Sequence, residues 1–179
     1  MKGFSPVYRK ELYSLFASPV FYVVAFTFLV ISGYFFYTAV AFFNFQSFEA
    51  SQNPMLAKQM NVSDMIIRPF LMDMSIVLLL ISPLLTMRLY AEERKTGTIE
   101  LLLTYPISDT ATILAKFLAA ATALAVILIG TFPGILLLAT FSQPSWETIL
   151  CGYLGIFLLG SAFLSLGVFT SSVTQNQII

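Results

Sequence analysis

Apolar residues in this chain do not alternate with polar ones; they gather into four nearly unbroken runs, 19–43, 65–87, 111–140 and 148–168. Each reaches the roughly 20 residues that an α-helix needs to cross the hydrocarbon of a bilayer. Runs of that length without a period of two do not read as barrel strands, and in lipid an unpaired backbone amide costs several kcal/mol, so the pattern predicts helices. The first run is too long for a signal-peptide core and closes on large aromatics (Tyr34, Phe35, Phe36, Tyr37, Phe42, Phe43), which predicts a retained anchor. Between the runs lie a polar stretch from Asn44 to about Asp64, expected to be a loop with at most a short surface helix, a charged segment from Arg88 to Asp109, and a short turn from Ser142 to Glu147. Fold class follows: an all-α, polytopic integral membrane protein.

Ahead of the first run, Phe4, Tyr8, Leu12, Leu15 and Phe16 gather on one arc of a helical wheel while Lys2, Arg9 and Lys10 take the other side, predicting an interfacial helix over residues 1–18. Ser18-Pro19 then turns the chain toward the bilayer, because the residue before proline avoids the helical region. Glu11 breaks the pattern by projecting into the apolar arc. A carboxylate there either snorkels to water or takes a basic partner, for which the 88–109 loop is the expected source.

Composition agrees with a lipid environment: 58 % hydrophobic and 10 % charged residues, with a mean hydropathy of +0.88. Nine basic residues balance nine acidic ones, so no net field draws in nucleic acid. Their placement is uneven. Lys2, Arg9, Lys10, Arg88, Arg94, Lys95 and Lys116 fall on one side of the spans and only Lys58 and Arg68 on the other, which predicts a cytoplasmic N-terminus and a cytoplasmic 88–109 loop. The last residues, polar from Thr170 to Gln177 and then Ile178-Ile179, read as a linker opening onto a further apolar run, so the chain is expected to be C-terminally truncated.

Histidine is missing and Cys151 is the only cysteine, which removes disulfides, thiolate–imidazole dyads and nearly all transition-metal sites; Cys151 reads as a small packing residue. An intramembrane hydrolase would have to rely on Ser or Asp, yet Asp64, Asp73 and Asp109 fall at the membrane edges. No G-x-x-x-x-G-K-[ST] occurs, so ATP hydrolysis is not expected of this chain. Within the spans, Asp73 lies about two turns from the outer face, where it either pairs with Arg68 or faces a path between helices, and Lys116 is expected to snorkel to the cytoplasm. Gly130, Pro133 and Gly134 predict a kink in the third span, and Gly152, Gly155, Gly160, Ser161, Ser165 and Gly167 predict close helix packing by the fourth.

The most informative stretch is the charged loop. Gly97 ends the extension of the second span, Thr98 caps a short helix and Pro106 stops it, leaving Ile99, Leu101, Leu102 and Leu103 as an apolar patch outside the membrane. Such a patch is covered by another part of the same protein or by a soluble partner, or else the loop is a plain charged connector. Here AEERKTGTIELLLTYPIS, followed by KFLAA at Lys116–Ala120, resembles the cytoplasmic loop of ABC-2 type permeases, and YRKELYSLFASPVFYV resembles that family's elbow helix. The similarity is greatest to the gliding-motility-associated and copper-enzyme-maturation branches. The resemblance implies six spans where this chain has four, no cofactor, and two permease subunits, identical or related, in the inner membrane above two separate ABC ATP-binding subunits. It further implies a coupling helix, in which Glu93, Gly97, Thr98, Glu100 and Pro106 match the family positions; Leu101, Leu102 and Leu103 would give the docking surface. A nucleotide-independent transporter or membrane scaffold is the competing reading.

Overall fold

The computed structural model describes residues 4–52, 60–86 and 108–173, and among these no strand occurs. Six helices follow one another: α1 (Phe4–Ala17), α2 (Pro19–Gln52), α3 (Arg68–Thr86), α4 (Asp109–Ile129), α5 (Phe132–Phe141) and α6 (Trp146–Val173). A π-helical turn, Ser63–Ile67, leads without a break into α3. Among the described residues four segments are long and apolar enough to cross a membrane: Pro19–Gln52, Ser63–Thr86, Thr110–Phe141 and Trp146–Ser171.

Helix α2 runs past the end of its apolar stretch, so the loop expected from Asn44 is still helical up to Gln52. The reason is local: Asn44, Gln46, Glu49 and Gln52 end the hydropathy but do not break a helix, and the first breaker, Pro54, comes two residues later. The third span is interrupted where predicted. Gly130 closes α4 and Thr131 opens α5, with Pro133 in the first turn of α5, where its missing N–H goes unnoticed.

Half of the most apolar stretch of Ser63–Thr86 is buried, against 22 %, 28 % and 22 % for the other spans, which makes α3 the central helix. Phe70, Met74 and Leu78 recur on its inner face at helical spacing and meet Phe28 from α2, Leu124 from α4, and Ile149 and Leu164 from α6. The outward faces carry large apolar side chains, such as Phe26, Tyr37, Leu80, Leu137 and Leu158, as a lipid-facing surface requires.

Close approach between α3 and α6 depends on glycine. A Cβ on Gly152 would collide with Leu71, and one on Gly167 with Thr86. One on Gly160 would lie 2.6 Å from Leu124 Cδ2. Gly155, by contrast, faces open space, Ser161 and Ser165 donate back to their own helix, and Cys151 is exposed, not packed as the sequence suggested. The matched residues rise together (71 with 152, 78 with 160, 86 with 167), so α3 and α6 run parallel. Leu29 against Gly130 and Phe36 against Gly134 make α2 parallel to α4 and α5 in the same way. At one end of the bundle, Ser145 N–H donates to Ser63 Oγ at 3.0 Å and joins the 142–145 turn to the head of α3. At the opposite end α3 closes at Thr86 and α4 begins at Asp109.

Candidate functional site

The residues matched to a coupling helix, Glu93, Gly97, Thr98, Glu100, Leu101, Leu102, Leu103 and Pro106, lie outside the described residues. Their flanks are described, and they lie at the same end of the bundle. Thr86, at the end of α3, is 1 % exposed and donates its hydroxyl to Ser82 O at 3.0 Å, while Ser108 leads into α4 at the same end of the bundle.

Beside this loop end sits a buried charge pair. Lys116 Nζ donates to Glu11 Oε1 at 2.9 Å, with side-chain exposures of 0 % and 6 %. Lys10 Nζ approaches the same carboxylate oxygen at 3.4 Å from a half-exposed position. The pair forms because Val7 and Glu11 occupy the centre of the face that α1 turns toward α4, with Tyr8, Leu12, Leu15 and Phe16 flanking them. On α4 the facing positions are mostly alanine (Ala111, Ala115, Ala119), which lets the two helices come close and leaves room for the Lys116 stem. A second tie lies farther along: Thr122 Oγ1 donates to Leu118 O at 2.7 Å, so the Tyr8 hydroxyl, 2.8 Å from Thr122 Oγ1, is the donor to it. Tyr8 pairs with Thr122 and Glu11 with Lys116, so α1 descends antiparallel to α4.

Two expectations change here. Lys116 does not snorkel to water, and the partner of Glu11 comes from the third span, not from the loop. Thr110–Phe141 has 32 residues, whereas about 20 cross the hydrocarbon; counting about 20 back from Phe141 reaches Thr122. The first three turns of α4 therefore extend beyond the hydrocarbon, and α1 lies along them with Arg9 and Lys10 on its exposed side. Each charge was visible alone, Glu11 as an acid on an apolar arc and Lys116 as a base inside an apolar run. Their separation by 105 positions hid the connection.

Asp73 does not pair with Arg68, whose Nε reaches Asp64 Oδ1 at 3.0 Å, one helical turn earlier. Asp73 stays half-buried at the edge of the inner face of α3. At the break in the third span, Thr131 Oγ1 donates to Leu128 O at 2.7 Å and so receives the Tyr153 hydroxyl at 2.8 Å, a cross-link between α5 and α6 that had no sequence signal. Among the described residues no three His, Cys, Asp or Glu side chains gather to hold a metal ion.

Four apolar spans, the second of them central, with an ion-paired helix α1 beside the end at which α3 closes and α4 begins, define a multi-pass membrane component. The chain belongs to the ABC-2 family of transporter proteins, whose family model matches residues 5–177. It is thus a membrane permease component of an ABC transporter, in a family that implies an ABC ATPase partner. No curated protein and no solved structure matches the chain.

Proposed function

We propose that this chain is the transmembrane subunit that receives the work of a separate ABC ATPase through its 88–109 loop and converts it into export or mechanical work, as in gliding motility. The family match over residues 5–177 carries this reading, and the position of Thr86 and Ser108 at the same end of the bundle supports it. In this reading the chain sits in the inner membrane with its N-terminus and loop cytoplasmic, one of a pair of identical or related permease subunits. Residues 1–18 form the elbow.

Leu101, Leu102 and Leu103 fill a groove of the ATPase, with Glu93 and Glu100 offering charge and Gly97, Thr98 and Pro106 shaping the turn. Each leucine fully buried there contributes about 1.5–3 kcal/mol. Replacing Leu102 and Leu103 with Ser is expected to release the ATPase while membrane insertion persists, since neither lies in a span. Glu100→Lys is expected to weaken docking but leave the apolar seat, so coupling persists in part. A Leu102/Leu103 double variant that binds the ATPase and stimulates its turnover as the parent does would refute the coupling role and favour a nucleotide-independent transporter or scaffold.

A further inference from the structure

Helix α2 packs mainly along α3, and its direct meeting with the third span is slight, through Leu29 at Gly130 and Phe36 at Gly134. What joins the first span to the third is α1. It lies along α4 for its whole inner face, and only Ser18 separates it from α2. At that corner Ser18 N–H donates to Leu15 O at 3.2 Å, and the Phe16 and Phe21 rings meet edge to face at 4.7 Å, so the elbow is itself a packed joint.

Apolar helix faces slide past one another with little change in burial; a buried charge pair does not. Displacing α1 along α4 by even a few ångströms would pull the Glu11 carboxylate off the wholly buried Lys116 ammonium. Buried ionic groups are best attested in that role, as devices that fix register. The Tyr8–Thr122 hydrogen bond adds a second fixed point along the same face.

We propose that the Glu11–Lys116 pair is the fastening that makes the first span follow the third: α4, α1 and α2 move as one body at the loop end. Helices α3 and α6, interlocked at Gly152 and Gly167, form the body against which they move. The role in transmission rests on the function proposed above, since α4 is one of the two helices that the loop joins; the fastening itself does not. Lys116 is on this account a positioning residue.

Spin labels test the fastening without any partner. In a Cys151→Ser chain reconstituted into lipid, labels at Ser14 and Leu166, both exposed, report α1 against α6, and labels at Leu118 and Leu166 report α4 against α6. The expected result is one narrow distance distribution for each pair in the parent. Glu11→Gln and Lys116→Met should each broaden the Ser14–Leu166 distribution at least twofold and leave the Leu118–Leu166 distribution narrow, which also shows that the bundle is folded. Exchanging the charges, Glu11→Lys with Lys116→Glu, in a Lys10→Ser background to remove the adjacent like charge, should narrow it again. A Ser14–Leu166 distribution unchanged in both single variants overturns the proposal. Transmission is read in parallel with an ATP-binding subunit that co-purifies with the parent: Lys116→Met should leave it bound while its permease-dependent stimulation falls several-fold. Loss of α1 positioning with full stimulation would overturn the transmission role alone, whereas no ATPase binding by the parent would overturn the proposed function and leave the fastening standing.

Discussion

Removing one partner of the Glu11–Lys116 pair should not have the same effect from both sides. Glu11→Gln takes the carboxylate away from an ammonium with 0 % side-chain exposure. Breaking a buried pair in that way costs about 3–5 kcal/mol. Lys116→Met leaves a carboxylate that is 6 % exposed but still has Lys10 Nζ at 3.4 Å, from a side chain that is 51 % exposed. The loss there is smaller, roughly 1.5–3 kcal/mol, in the range of a hydrogen bond to a charged group. Glu11→Leu with Lys116→Met removes both charges and keeps the volume, and is expected to return close to the parent, because well-packed apolar replacements of buried pairs are often neutral or stabilising. Trp146, the only tryptophan, stands at the head of α6 and serves as the reporter in an equilibrium unfolding titration with SDS in mixed micelles. A double-mutant cycle then isolates the pairwise coupling. Equal losses for the two single variants, or a double variant less stable than either, would refute the reasoning.

Other outcomes follow from the packing. Gly167→Ala should destabilise by about 1–3 kcal/mol, as overpacking does, because its Cβ collides with Thr86, whereas Gly155→Ala should be neutral in the same titration. Tyr153→Phe should cost about 0.6 kcal/mol, the mean for interhelical hydrogen bonds within membranes. For topology, in a Cys151→Ser chain, cysteine at Thr96 should resist an impermeant thiol reagent in intact cells and cysteine at Gln52 should react; the reverse pattern would invert the proposed orientation.

The spans were legible because the bilayer imposes a length and a composition that four runs of this chain satisfy, and the break at Gly130–Pro133 was legible because proline and glycine act locally. What escaped was decided by distant partners. Asn44 to Gln52 read as loop because hydropathy falls there, yet helix formation needs only the absence of a breaker. Gly152 and Gly155 look alike in sequence, and only the position of Leu71 separates the one that is needed from the one that faces open space. Glu11 and Lys116 were each out of place locally, and two opposite charges out of place in one apolar chain are a signal to look for each other.

The break at Thr131 also sets the mechanics of the third span. Helix α4 below it has 21 residues, an arm of about 31 Å at about 1.5 Å per residue. A tilt of about 10° about that point would swing the loop end by about 5 Å for an arm of this length. The far end, pinned through Ser63 and Ser145, would hardly shift. A straight helix would tip both ends in opposite directions; a broken one confines a stroke to a single leaflet.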